Sequence, residues 1–321
     1  MMFDDNKKIL ITGGLGFIGK NLTNYLLQNT DCSISIVDNN SINTYESFKN
    51  HFNSDRISYF IDDLTKPTML GEALADVDLV FHLAANSDIS KGVNNPTIDF
   101  QNTTTSTFNL LTAMKEADVK KIVFFSGSGV YGMNDVNVFD ENYAPLFPVS
   151  HYGASKLCAE SMISAFVHMH DMKAIIFRFA NVVGDYQSHG VAYDFVRQLK
   201  ANPEKLVVLG DGYQNKSYVH VSDIIAAVFC AVRKAPEKKI QAFNVSNDDM
   251  ITVRSIAKII LEEMDLSSTV IEYGTTPYGW VGDVPEIKLL NNAIKTLGWS
   301  YNYNSGQSIR KAVKFLINVD L

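Results

Sequence analysis

Short apolar runs and amphipathic stretches take turns along the first half of the chain. Runs rich in β-branched residues fall at Lys8–Thr12, Ser33–Asp38, Ile57–Ile61, 78–83, 121–126 and 173–177. Each has the length of a strand buried on both faces. Between them apolar positions recur at helical spacing, near 17–29, 66–75, 97–117 and 152–170. Strand and helix in alternation is the pattern of βαβ units. The expected fold class is therefore α/β, a Rossmann-type doubly wound parallel sheet. Farther on the pattern changes: short strands at 206–209, 242–245 and Val270–Tyr273 mix with helices near 222–234, 252–264 and 306–318. Turn signals cluster at 210–212, 246–249 and 273–282. The expected organisation is a first domain over 1–180 with a return segment at about 219–245. A smaller C-terminal α/β domain would take 181–218 and 246–321.

Composition narrows the function classes. The 321 residues carry 28 basic and 35 acidic side chains, a net charge of −7. That argues against a nucleic-acid or polybasic membrane partner. With 46% hydrophobic and 20% charged residues the chain is ordinary globular material, not disordered or fibrous. Cys32, Cys158 and Cys230 are few, odd in number and far apart, so reduced, buried thiols are expected rather than a disulfide framework or metal site. The first residues are acidic, unlike a signal peptide, and the apolar run 224–232 is about half a membrane span. The expectation is a cytoplasmic protein without a membrane or a metal.

The first strand runs into Thr12-Gly13-Gly14-Leu15-Gly16-Phe17-Ile18-Gly19, followed by an amphipathic helix. Glycines spaced this way let the chain turn tightly and let backbone N–H groups approach a pyrophosphate at a helix N-terminus. The second strand ends in Asp38, 19 positions after Gly19. A carboxylate there accepts from both ribose hydroxyls and repels a 2′-phosphate, which favours NAD over NADP. Asp63, after the third strand, suits either an adenine contact or a turn carboxylate. At 152–156 stands Tyr152-Gly153-Ala154-Ser155-Lys156. The i, i+4 spacing puts phenol and ammonium on one helical face. A neighbouring ammonium and the positive nicotinamide would both favour phenolate, so Tyr152 is expected to have a lowered pKa and to exchange a proton with a substrate hydroxyl.

With these motifs the chain resembles the extended short-chain dehydrogenase/reductases, in their sugar-nucleotide epimerase and dehydratase branch. The likeness extends through Asp63-Leu64, His82-Leu83-Ala84-Ala85, Asn102, Ser126 to Gly132, Arg178 to Gly184, Leu209 to Gln214, Tyr218 to Asp223 and Gly282-Asp283-Val284. It implies NAD along Gly13, Gly16, Phe17, Ile18 and Gly19, with Asp38 and Asn39 at the ribose. Asp63 and Leu64 would flank adenine, while Leu83, Ala84, Ala85 and Asn102 would line the cofactor trough. Lys156 would reach the nicotinamide ribose beside Tyr152. A sugar nucleotide would meet Asn86, Ser128, Asn181, His189, Gly190, Val191, Leu209, Gln214, Lys216, Tyr278 and Asp283. The resemblance also implies a homodimer through the helices near 97–117 and 152–170.

Three positions depart from the family pattern. Gly127 stands where a catalytic Ser or Thr is usual, with Ser126 the preferred substitute and Ser128 the alternative. Lys216 replaces an Arg, and Tyr278 is read as replacing another, leaving Arg254 or Lys288 to help neutralise a diphosphate. The family's 4,6-dehydratases follow their Thr with Asp-Glu, and its decarboxylases carry a Glu, where this chain has Ser128-Gly129. The remaining set suits C4 epimerisation of a UDP-hexose, most like the UDP-glucose 4-epimerases. A 4-ketosugar reductase is the close alternative, and a non-catalytic NAD-binding module the distant one.

Overall fold

The structure, a computed structural model, describes residues 2–87, 89–133 and 138–319. The chain opens with β1 (Lys8–Thr12), α1 (Phe17–Asn29), β2 (Ser33–Asp38), α2 (Tyr45–His51) and β3 (Ile57–Ile61). There follow α3 (Leu70–Ala73), β4 (Leu79–His82), α4 (Ile89–Asn94), α5 (Pro96–Asp99), a π-helical stretch Phe100–Thr105, α6 (Ser106–Glu116) and β5 (Lys121–Gly127). Next come β6 (Val138–Phe139), α7 (His151–Met169), β7 (Lys173–Phe179), β8 (Asn181–Val183), α8 (Val191–Ala201) and β9 (Lys205–Val208). The sequence continues with β10 (Asn215–Lys216), β11 (Tyr218–His220), α9 (Val221–Lys234), β12 (Ile240–Val245) and β13 (Ile251–Thr252). The last elements are α10 (Val253–Glu263), β14 (Val270–Tyr273), β15 (Glu286–Leu289), α11 (Asn292–Thr296) and α12 (Ser305–Ile317).

Seven parallel strands form the main sheet in the order β12-β7-β5-β4-β1-β2-β3. Period-2 alternation buries both of its faces. Ile9 and Ile11 of β1 join Leu22 and Leu26 of α1 and Val228 of α9 on one side, while Leu10 joins Leu110 of α6 and Ile163 of α7 on the other. Chain direction across the sheet reverses between β1 and β4, which opens a crevice at their C-terminal ends. A separate core of α8, α10 and α12 holds Phe195, Ile256 and Ile309. Four short strands, β13-β10-β15-β6, and two pairs, β11 with β8 and β14 with β9, frame the far side of that crevice.

Several expectations on elements need correction. The helix expected at 66–75 shrinks to α3, because the Asp62 carboxylate accepts from the backbone N–H groups of Thr68 (3.0 Å) and Met69 (2.8 Å) and holds that stretch as a turn. The helix expected at 97–117 is interrupted by the π-helical turn. Helix α8, begun by Gly190 at φ +91°, is not among the helices expected from the pattern. Cys158 is exposed, unlike the buried Cys32, and all three thiols are free. Among the described residues no helix is long and apolar enough to cross a membrane, and the 224–232 run lies inside α9 against the sheet.

Candidate active site

One continuous cleft of about 1060 Å³ runs from the glycine loop, across the ends of β1, β4 and β5, to α8 and the 279–284 loop. At its first end Gly13 adopts φ +70°, and a Cβ there would come within 2.8 Å of the Ala84 nitrogen. Gly19 packs so closely that a Cβ would meet the Gly13 carbonyl at 2.6 Å. Glycine is required at both. Helix α1 then starts at Gly16 with no side-chain cap and no acidic residue in its first turn. Its free N–H groups and dipole therefore face the cleft, the arrangement that takes a pyrophosphate. Asp38 ends β2 with one carboxylate oxygen accepting from Leu15 N–H (3.0 Å) and the other from Asn40 N–H (3.0 Å). Burial raises its pKa, against the lowering effect of those hydrogen bonds and of Lys20. A diol pair at Asp38 would find a fixed acceptor. The residues fit NAD.

Around that end Phe17, Ile18, Asn39, Leu64, Leu83, Ala84, Ala85 and Asn102 all line the cleft. Asp63 lines it too, with one oxygen accepting from Thr65 N–H at 2.9 Å, so it is both turn former and cleft residue. Beneath them His82 is buried between the hydroxyls of Thr12 (2.7 Å) and Thr107 (2.9 Å), and burial lowers its pKa to about 3. It is a neutral structural histidine that ties β4 to β1 and α6.

Tyr152 and Lys156 sit in the first turns of α7, whose start is fixed by Ser150 accepting from Gly153 N–H at 3.1 Å. Both line the cleft. The Lys156 ammonium donates to the Phe125 carbonyl (2.7 Å) and lies 5.7 Å from the Tyr152 ring centre. Burial brings Lys156 down to about 8, opposed by the Glu160 and Asp99 carboxylates. Within the protein alone Tyr152 is pushed up to about 12, first by burial and then by Asp99, so the lowering expected of it falls to the positive nicotinamide together with Lys156. The ammonium is held by a backbone carbonyl and lies over the Tyr152 ring, and within the chain alone burial dominates the phenol. Asp99 itself is buried, accepts from Asn86 (2.8 Å), and is raised by burial.

The preference for Ser126 over Ser128 meets a difficulty. The Ser126 hydroxyl donates to Glu160 at 2.6 Å, and Glu160 is paired with Arg178 at 2.7 Å inside the protein. Arg178 donates on to Tyr131, which donates to Asn244. Ser126 thus belongs to a buried network that ties β5 to α7, β7 and β12. Both serines line the cleft, but among the described residues that network does not include Ser128, one residue past the strand.

On the substrate side Asn86, Asn181, His189, Gly190, Val191, Leu209, Gln214, Lys216 and Asp283 all line the same cleft. Lys216 on β10 pairs with Asp283, whose other oxygen accepts from Gly279 N–H at 3.0 Å. Gln214 is buried with its side-chain carbonyl unpartnered, an acceptor kept for a donor in the cleft. Tyr278 is not where it was expected. It points out of the cleft, 45% exposed, because the Gly279–Asp283 contact reverses the loop and brings Trp280 to the lining instead. Arg254 is also elsewhere, held between the rings of Tyr213 (4.3 Å) and Tyr273 (3.8 Å) with Nε on the Asp211 carbonyl. Neither Arg254 nor Lys288 lines the cleft, whereas Arg197 on the unexpected helix α8 does. The signal that could have found Arg197 was the helical spacing of Ala192, Phe195, Val196 and Leu199, all buried.

A doubly wound sheet with a glycine loop, a ribose carboxylate and a Tyr–Lys pair on one cleft defines a nucleotide-dependent oxidoreductase-type site. The model of the NAD dependent epimerase/dehydratase family matches residues 9–246, and the chain belongs to that family. It is an NAD-dependent enzyme of sugar-nucleotide epimerase/dehydratase type. The chain is similar to a UDP-galactose 4-epimerase of known crystal structure, at 32% identity and TM-score 0.85, covering 96% of this chain and 98% of that one. It is 28% identical over 319 residues to the UDP-glucose 4-epimerase of Mycolicibacterium smegmatis, which covers 97% of this chain and 99% of the relative. It is also 24% identical over 318 residues to the UDP-glucuronic acid decarboxylase 1 of Xenopus tropicalis, covering 97% and 72% respectively.

Proposed function

We propose that the protein epimerises a UDP-hexose at C4 while keeping its NAD bound. The observation that carries this reading is Gly129. A Cβ on it would lie 3.5 Å from Gly153 Cα and 3.9 Å from the Tyr152 ring, so position 129 adjoins the proposed reacting end. Elimination of water or decarboxylation calls for a further acid or base there, and glycine offers none. Epimerisation asks less of the protein. When bound, NAD supplies the ring that accepts hydride from the sugar carbon and returns it. As the phenolate that the positive nicotinamide and Lys156 would favour, Tyr152 takes the hydroxyl proton as the alcohol becomes a ketone and gives it back as the alcohol re-forms. Lys156 holds positive charge beside that phenol. Ser128 is assigned the hydroxyl that orients the sugar oxygen, since Ser126 is occupied by Glu160.

A homodimer is part of the proposal. Phe100 and Phe108 on the helical segments before β5 are 59% and 46% exposed, and Met169 ends α7 at 75%. Those apolar side chains suit a paired-helix contact. The chain divides, in the same proposal, into a cofactor domain over 1–180 with a return at 219–245, and a sugar-nucleotide domain from 181–218 and 246–321.

The deciding experiment is proton NMR in D₂O with UDP-glucose or UDP-N-acetylglucosamine and no added NAD. Formation of the C4 epimer without deuterium at C4 is expected. Turnover only of a 4-keto sugar nucleotide with added NADH would replace the epimerase by the reductase.

A further inference from the structure

The loop 274–283 connects β14 to β15 across the substrate side of the cleft, and both of its ends are fastened. Gly274 N–H donates to the Val208 carbonyl (3.1 Å), and Asp211 N–H donates to the Thr276 carbonyl (2.7 Å). At the other end Asp283 receives Gly279 N–H and Lys216, and its own N–H donates to the Trp280 carbonyl (3.1 Å). The ring of Trp280 is thereby set on Gly282. A Cβ on that glycine, itself at φ +92°, would meet the Trp280 ring at 3.2 Å, the Val149 carbonyl at 3.0 Å and Ser150 Cβ at 3.4 Å. Ser150 caps the helix that carries Tyr152, two residues on. The indole therefore stands beside the cap of the helix that carries Tyr152 and lines the same cleft. Val149 and Val284 line the same stretch of wall, and among the described residues beside them the cation, Lys216, is paired with Asp283.

We propose that Trp280 is a specificity-determining residue, the platform for the hexose of the sugar nucleotide, and that this wall selects a neutral hexose over a uronic acid. The inference rests on the nucleotide-sugar reading above and names the sugar class. A pyranose presents faces of C–H groups, weakly positive, which lie well on the negative face of an indole. A carboxylate at C6 would have to leave water against Val149 and Trp280, where the described residues of this wall offer no unpaired cation to meet it, a costly desolvation.

The chain has two tryptophans, and the other, Trp299, is 5% exposed with its N–H on the Asp223 carbonyl. Ligand-induced change in tryptophan emission thus reports on Trp280. NAD-loaded Tyr152→Phe protein, in which turnover should be slowed at least about a hundredfold, is titrated with UDP, UDP-glucose and UDP-glucuronate, and affinities are confirmed by calorimetry. UDP-glucose is expected to change the emission saturably and UDP alone far less. UDP-glucuronate should bind at least about tenfold more weakly than UDP-glucose, the penalty of an unpaired desolvated charge. Adding Trp280→Ala should weaken UDP-glucose about tenfold and UDP less than twofold, while Trp280→Phe restores most of the loss. Equal binding of UDP-glucuronate, or unchanged UDP-glucose affinity in the alanine variant, overturns the inference. Failure of the chain to bind any UDP-hexose overturns it together with its substrate class. If UDP-glucose binds and moves the emission but the wild type forms no C4 epimer, the epimerase assignment falls and the role of Trp280 stands.

Discussion

Along the cofactor half of the cleft the groups facing the space are mainly backbone: Gly13 at φ +70°, uncapped N–H groups of α1, and the chain beyond β4 at Leu83 to Ala85. Along the substrate half they are side chains carried on two- to four-residue strands and on the 274–283 loop. The first half is rigid because long parallel strands end there together. The second is shaped by single contacts, such as Lys216 with Asp283, each of which redirects a neighbour. A backbone site tolerates little substitution but is hard to misplace, whereas a side-chain site is easily retuned.

The largest effect that would sharpen this contrast falls on the residue between the halves. Tyr152→Phe should lower the rate of C4 epimerisation by about 10²- to 10⁴-fold, the usual share of a general acid–base group. NAD should still co-purify, as the 260/280 nm absorbance ratio would show. If the variant retains wild-type turnover, the proposed chemistry is wrong.

Next comes the support shared by both halves. Arg178→Met leaves Glu160 buried without its partner, and breaking a buried pair costs about 3–5 kcal/mol, read from urea unfolding. Ser126→Ala removes only one hydrogen bond to that pair and should cost about 1–2 kcal/mol, with turnover little changed. Loss of turnover in Ser126→Ala with full activity in Ser128→Ala would reverse their assignment.

On the cofactor side, Asp38→Ala removes the fixed acceptor at the end of β2 and should weaken NAD about 10- to 100-fold while improving NADP relative to it. Equilibrium dialysis of the two cofactors decides this.

The pH dependence is a finer probe. Lys156, lowered to about 8, is an ammonium below that pH and loses its charge as pH rises through it, so turnover should decline on the alkaline side. The Asp99 carboxylate raises Lys156, so Asp99→Asn should move that decline to lower pH. A limb that stays in place would show that Asp99 does not act on the pair. The smallest effect is expected at Tyr278, which faces away from the cleft. Tyr278→Ala should leave KM within about twofold, below what one lost contact in a pocket usually costs.

Much of the cofactor half was legible in the sequence, since a glycine triad, a strand and a helix adjacent in the chain build it locally. The strands β1, β2 and β3 lie where their apolar runs placed them. The substrate half was read less well. Nothing adjacent in sequence says that Asp283 folds back onto Gly279 in the turn that puts Trp280, and not Tyr278, on the cleft lining. Ser126 and Ser128 are likewise indistinguishable as neighbours of Gly127 until Glu160, 34 positions after Ser126, claims one of them.

By itself, then, the sequence determined the parallel sheet, the NAD loop and the Tyr152–Lys156 face, because period-2 and period-3.6 patterns and glycine conformations act within a few residues of themselves. Only the tertiary structure decided which serine is occupied, which aromatic lines the substrate wall, and that burial lifts the Tyr152 pKa. Those outcomes depend on partners far apart in the chain, whose approach and desolvation exist only once the sheet and the substrate-side strands have come together.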